Sequence, residues 1–271
     1  MPEGDTLFQA AGTLQRALGG GMVTRFESVF PALNRIDEDA PLAGRLVESV
    51  TAAGKHLLMR FTGQLVLRTH MRMSGSWHIY LPGEPWQRPA RDMRIVVATG
   101  SFVAVAFNVQ VAEFLQGKQL ERQPELRAMG PDLLGPSFDP PAAIARLRSE
   151  GGATIESALL NQRVVAGIGN VYRSEVLFTC GVNPFRLVSA LDDATLTSLL
   201  ETARRLMKAN TAPGSLAGIV TYTGFAPHDG TLERGGAPVG LRARQRPVPH
   251  VRDADPERED RSRCAEYVLV S

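Results

Sequence analysis

Residues 159–178 read "LLNQRVVAGIGNVYRSEVLF", and the reading of this stretch decides how the rest of the chain is understood. Leu159 and Leu160 belong to one helical run, and a second opens after Gly169. Tyr172, Val176, Leu177 and Cys180 recur at helical spacing, which predicts an inward face, and Gly181 supplies a stop. Between the runs, Gly167 and Gly169 bracket a turn where residues without Cβ permit positive φ or close backbone approach. Asn170 is expected to cap the second helix. A helix N-terminus offers N–H groups to an anion, and an Asn amide adds a donor. An ordinary capped helix after a tight turn has the same spacing, so both readings stand on these residues alone.

Outward from this stretch the period stays helical. "PAAIARLRSE" and "TIESALLNQR" precede it. "DDATLTSLLETARRLMKAN" follows, with Leu196, Leu199, Leu200, Ala203 and Met207 on one face and Asp192 or Asp193 as cap. Beyond Gly214 the periodicity fades. Upstream, "LERQPELRAMGPDLLGPSFDPP" is polar and rich in Pro and Gly, and reads as a connector. Before it the chain looks mostly β. "LVLRTHMRMSGSWHIY" and "RIVVATGSFVAVAFNVQVAEF" are β-branched and aromatic runs broken by glycine, and "PLAGRLVESVTAAGKHLLMRF" reads as two strands around a turn. The exception is "DTLFQAAGTLQRALGG", where Leu7, Ala10, Ala11, Leu14 and Leu18 share a helical face ended by Gly19.

These patterns predict an α+β multidomain chain. An N-terminal helix on a two-layer β-sandwich (1–116) is followed by a linker (117–131), a helical domain (132–227) and a weakly patterned Arg/Pro/Gly-rich tail (228–271). Composition narrows the classes. Of 271 residues 44% are hydrophobic, enough for a sizeable core, and the formal net charge is only +2, so a nucleic-acid role must rest on a local patch. Two cysteines, Cys180 and Cys264, form neither a disulfide framework nor a four-thiolate metal site. No basic-then-apolar leader or long apolar run is seen, so the expectation is a cytoplasmic protein without a membrane role.

The chain begins "MPEGDTL". A start peptide is ordinarily mobile, and a Pro-Glu pair alone says little. In combination it says more. Pro2–Glu3, the "AGKHLLM" turn carrying Lys55, the loop from His70 to Gly75 and the stretch around Asn170 occur in the order found in the formamidopyrimidine-DNA glycosylase / endonuclease VIII family, which the chain resembles over residues 2–181. The central stretch resembles that family's helix–two-turn–helix signature. "PEGDT" resembles the endonuclease VIII-like branch, and the Arg-x-Phe-Gly wedge of the guanine-directed branch is not found in "FVAVAFNVQVAEF". Asp5 stands where the family's bacterial prototypes have glutamate, which leaves its role open.

The resemblance implies a bifunctional DNA glycosylase and AP lyase of base excision repair, acting on oxidised bases, pyrimidines first, in a bacterial nucleoid. Pro2, exposed by removal of Met1, is the implied nucleophile. An α-amino group titrates near ~7.7–8 and is substantially neutral at cellular pH, whereas a lysine near ~10.4 is not. Glu3 is implied as proton donor and shuttle, and Lys55 as phosphate contact and acid in strand cleavage. The damaged nucleotide must leave the stack, and Arg72, Met73 and Ser74 occupy the loop that fills the gap, with Met73 the apolar wedge. His70 and Asn170 are implied to hold phosphates. His56, His78, His228 and His250 read as packing or surface residues. The implied partner is damaged DNA, duplex or single-stranded, and the protein is expected to be a monomer.

The tail departs from the family pattern. Relatives usually end in a four-cysteine zinc finger carrying an arginine to the lesion, and one cysteine after Cys180 cannot supply it, so no zinc or other cofactor is expected. "PVGLRARQRPVPHVR", with Arg242, Arg244, Arg246 and Arg252, fits a zincless finger. The acidic "DADPERED" and the final "AEYVLVS" fit a degenerate remnant. A remnant would favour a second functional reading, a relative that binds damaged or flexible DNA with little turnover.

Overall fold

Leu7, Ala10, Ala11, Leu14 and Leu18 are all buried, and their spacing builds helix α1 (Gly4–Leu18), which ends at Gly19. The structure is a computed structural model and describes residues 3–117 and 119–211. Pro2 and the tail from 212 onward lie outside the described residues.

After α1 come β1 (Val23–Ser28), α2 (Pro31–Asp39) and strands β2 (Val47–Ala53), β3 (His56–Phe61), β4 (Leu65–His70), β5 (Ser76–Tyr80), β6 (Met93–Thr99), β7 (Val103–Phe107) and β8 (Val111–Gln116). They form two antiparallel four-stranded sheets, ordered β1-β6-β7-β5 and β2-β3-β4-β8. Alternate residues of both sheets meet α1 in one core. Leu57, Met59, Leu67 and Phe114 come from one sheet, and Trp77, Ile95, Val97 and Ala104 from the other. This is the expected sandwich.

Both sheets are also covered outside, which is why "RIVVAT" reads as a continuous apolar run. Val96, Val105, Phe107 and Tyr80 form a second cluster with Trp86, from the loop between β5 and β6. On the other sheet Leu58, Val66 and Leu115 are covered by Leu120 and Leu126. Those two leucines sit in short helices α3 (Gln119–Arg122) and α4 (Pro124–Arg127). The segment read as a polar connector therefore carries helices that roof a sheet. Helix α2 is also unforeseen; only Leu33 of its nine residues is buried, too little to raise a pattern.

Helices α5 (Pro140–Ser149), α6 (Ile155–Leu160), α7 (Asn170–Thr179) and α8 (Asp193–Thr211) enclose a separate core. All five predicted core residues of α8 are buried. The choice of cap falls on Asp192, whose Oδ1 accepts the Thr195 N–H at 2.8 Å. Helix α1 packs on β2 and also on α8, so it touches both layers of the molecule.

Candidate active site

The Gln162 side chain braces the turn between α6 and α7. Gln162 Oε1 accepts the Gly167 N–H at 3.0 Å, and its Nε2 donates to Ile168 O at 2.9 Å. Gly167 has φ of 106°, a conformation that favours glycine. Gly4 N donates to Gly167 O at 2.9 Å. A Cβ on Gly4 would lie 2.7 Å from Gly167 Cα, so the start of α1 seats directly against this turn.

That approach delivers Glu3 to the N-terminus of α7. Its carboxylate accepts N–H bonds from Gly169 at 2.9 Å, Val171 at 2.8 Å and Tyr172 at 3.2 Å. Glu3 is 2% exposed. A buried carboxylate is tolerable only when well hydrogen-bonded, and the positive end of a helix is a favourable place for one. This corrects the expected roles here. The N-cap residue is Gly169, and Asn170 is the first residue inside the helix. The N–H groups read as a site for an external anion are occupied by Glu3. Asn170 is instead exposed beside them.

Asp5 has a partner on the same helix. It is buried, and its Oδ2 accepts the Tyr172 hydroxyl at 2.7 Å. Asn210 of α8 donates to that hydroxyl in turn. Burial, then the bond to Asp5, pushes the Tyr172 phenol up, so it stays protonated and donating. Residues 3, 4 and 5 are thus each fastened to α7 or the turn before it.

Lys55 follows Gly54 in the turn joining β2 to β3. Gly54 has φ of 55°, and its N–H donates to Asp132 Oδ2 at 2.6 Å. Asp132 Oδ1 also accepts the Leu134 N–H at 2.9 Å, an Asx-type turn inside the former connector. Burial lowers Lys55 below the usual lysine range, and the Glu3 carboxylate acts in the opposite direction. A less hydrated ammonium in the field of a carboxylate is suited to proton transfer.

His70 ends β4 and is half-buried, with Nδ1 accepting the Arg72 N–H at 3.0 Å. Burial first, then the charge of Arg72, lowers its pKa, so the ring is neutral and its Nε2–H is the available donor. Met71 is buried and anchors the following loop, closed by Gly75 N to Met71 O at 2.9 Å. Arg72 is exposed with φ of 54°. Met73 is 69% exposed, so it is no core methionine. His56 and His78 are buried packing residues, both lowered to about 4, mainly by burial.

Sequence reading missed Asp132, Gln162, Tyr172 as a polar partner, and Asn210. Asp132 left a trace in the turn-forming "GPD". Tyr172 and Asn210 act through contacts far apart in the chain, and Gln162 acts within a turn that has no period of its own.

Two family models match the chain. Residues 1–114 match the formamidopyrimidine-DNA glycosylase N-terminal domain, and residues 129–218 match the formamidopyrimidine-DNA glycosylase H2TH domain. A probable endonuclease 8 2 of Streptomyces coelicolor is 41% identical over 78% of this chain and 74% of its own length. A DNA-(apurinic or apyrimidinic site) lyase Nei2 of Mycolicibacterium smegmatis is 37% identical over 71% of this chain and 72% of its own. The fold matches the Lactococcus lactis formamidopyrimidine-DNA glycosylase bound to DNA containing an abasic site. There the TM-score is 0.69 at 19% identity, over 79% of this chain and 82% of the other. With both matched domains in order and relatives of this identity, the chain belongs to the formamidopyrimidine-DNA glycosylase / endonuclease VIII family.

Proposed function

We propose that the chain removes damaged bases from DNA and cuts the strand at the resulting abasic site, with Pro2 as nucleophile. It is a bifunctional DNA glycosylase and AP lyase of base excision repair, as its family and its endonuclease 8 and AP-lyase relatives indicate. The observation that carries the site is the buried Glu3 carboxylate, the residue after Pro2, held by the amides at the start of α7.

In this reading the Pro2 nitrogen attacks C1′ of the flipped nucleotide. The C1′–N bond breaks and its electron pair leaves with the base. Both Glu3 oxygens accept N–H bonds, so Glu3 begins as a base. It takes the proton shed by Pro2 and returns it to the sugar ring oxygen as the ring opens. The resulting iminium acidifies C2′–H. Loss of that proton expels the 3′ oxygen with the C3′–O bond pair, and Lys55 is placed to protonate the departing phosphate. His70 Nε2–H and the Asn170 amide hold backbone phosphates, and Met73, with Arg72 beside it, enters the gap left by the flipped base.

The substrate is an oxidised pyrimidine in duplex or single-stranded DNA, met by a monomer at the nucleoid. Among the described residues no helix is long and apolar enough to cross a membrane. The family's zinc does not fit this sequence. Of its two cysteines, Cys180 caps the C-terminus of α7 with Sγ 3.5 Å from Thr202 Oγ1, and Cys264 lies outside the described residues. No step here uses a metal.

Borohydride reduction on an abasic oligonucleotide should give a covalent complex, and peptide mapping should place the link at Pro2, with Met1 gone from the intact mass. A link mapped to an internal lysine overturns the mechanism. A trapped complex without excision of thymine glycol would select the low-turnover relative instead.

A further inference from the structure

The outer face of the β2-β3-β4-β8 sheet changes character along its strands. At one end Leu58, Val66 and Leu115 lie under Leu120 and Leu126. At the other are His56 and His70, directly paired across β3 and β4 and next to the Lys55 turn. Between them sits Arg68, 5% exposed. A buried guanidinium is costly unless its donors are matched. Arg68 Nε meets Glu113 of β8, and Nη1 meets Glu125 of α4 at 2.6 Å. The same Nη1 lies 3.3 Å from His56 Nδ1. Gln123 Nε2 adds a bond to Glu113 at 2.6 Å.

We propose that Arg68 is a positioning residue for DNA binding: clamped by Glu113 and Glu125, it fixes His56, and through the His56–His70 ring pair it sets the direction of His70. This rests on the reading of His70 as a phosphate contact. Arg68 donates to His56 Nδ1, which leaves the hydrogen of neutral His56 on Nε2, 4.0 Å from Glu125. The His56 ring meets His70 edge to face at 4.8 Å between centroids. His70 Nδ1 is taken by the Arg72 N–H, so rotation of its ring would break that bond and the aromatic contact together. The clamp therefore makes α4, in the former connector, part of the DNA-binding apparatus.

The groups facing His70 are Lys55 in the turn, His56 on β3, Arg68 on β4, Arg72 in the loop and Glu125 on α4, with Glu113 on β8 behind Arg68. Arg72, Arg68 and Lys55 lower its pKa, and Glu125 raises it. Opposite changes are therefore expected in NMR titrations of the imidazoles. Arg68→Met should raise the His56 and His70 midpoints, and Glu125→Gln should lower them. Arg68→Met risks misfolding, but Glu125 is 62% exposed in its side chain and can be changed alone.

The deciding experiment is a double-mutant cycle on a duplex carrying a tetrahydrofuran abasic analogue. Glu125→Ala should weaken binding about three- to tenfold with His70 present, and less than about twofold in the His70→Ala background. Equal losses in both backgrounds overturn the inference and leave the phosphate reading intact. A His70→Ala protein that binds as tightly as the unaltered chain removes the phosphate reading, and this inference with it.

Discussion

At the junction with α7, Glu3 is 2% exposed, while Met73, at the head of the loop after β4, is 69% exposed. Residues 3, 4 and 5 are each tied to α7 or its preceding turn, by backbone amides, a carbonyl and the Tyr172 hydroxyl. The loop has one closing bond, from Gly75 N to Met71 O, and one bond from the Arg72 amide to His70. In the proposed reaction both regions take part. Groups that move protons need fixed geometry, because their contribution falls steeply with misplacement. A wedge needs reach and an apolar surface, and its target is DNA that arrives later. Hydrogen bonds are concentrated around the proposed proton-transfer group, and the proposed wedge is left to solvent.

The largest effect is expected at the fixed region. Glu3→Gln keeps the shape and one acceptor oxygen but removes the base. Base excision should fall by at least about a hundredfold, the usual scale for a positioned acid–base group. It should also destabilise the fold by about 1 kcal/mol, because the Val171 amide loses its acceptor. A Glu3→Gln protein with unchanged excision would show that the carboxylate is a structural cap alone.

Gly4→Ala probes the same junction without touching a reacting group. The new Cβ would meet Gly167 Cα at 2.7 Å and Met207 Cε at 2.8 Å, and the backbone contact cannot swing aside. A loss of about 1–3 kcal/mol in chemical denaturation is expected, with a matching drop in excision as the N-terminal tip lifts from α7. Unchanged stability would mean that the tip docks more loosely than its hydrogen bonds imply.

How much of this was legible depended on how far each cause lies from its effect along the chain. Helices α1 and α8 were readable because Leu7, Leu14, Leu196 and Leu200 announce their faces within a few residues. The sandwich was readable from its β-branched runs. Helices α3 and α4 were not, since a four-residue helix with one covering leucine gives no period. Asn170 was misread as the cap for a similar reason. Local rules see an Asn at a helix start, but the capping carboxylate comes from Glu3, 166 residues from Gly169. The roles proposed for Pro2 and Met73 come only from the family resemblance, because a proline second in a chain and an exposed methionine carry no pattern of their own.

At the loop, Met73→Ala should lower excision of a lesion from duplex by about tenfold, through loss of the wedge and the apolar area it would bury against the bases. Stability should stay within about 0.5 kcal/mol, because the side chain touches little of the folded protein. This pairing of a functional loss with a silent denaturation curve is the reverse of Gly4→Ala. A large fall in stability would place Met73 in the fold after all and erase the contrast between the two regions.

The smallest effect is expected at Asn170, the first residue of α7. It is exposed and sits inside the helix, while Glu3 satisfies the amides around it. As a cap, its loss to alanine would cost about 1 kcal/mol of stability. As the first residue of a helix already capped by Glu3, it should cost almost none, since alanine is the better helix former. Its effect should appear instead in binding. A single phosphate contact contributes at most about one unit to the slope of log affinity against log salt, and it is indifferent to base sequence. Asn170→Ala should therefore weaken binding to matched and shuffled duplexes alike, with a slightly shallower salt slope and an unchanged melting curve. If the melting curve falls and the salt slope holds, Asn170 belongs with the fixed junction, and the phosphate is held by other groups.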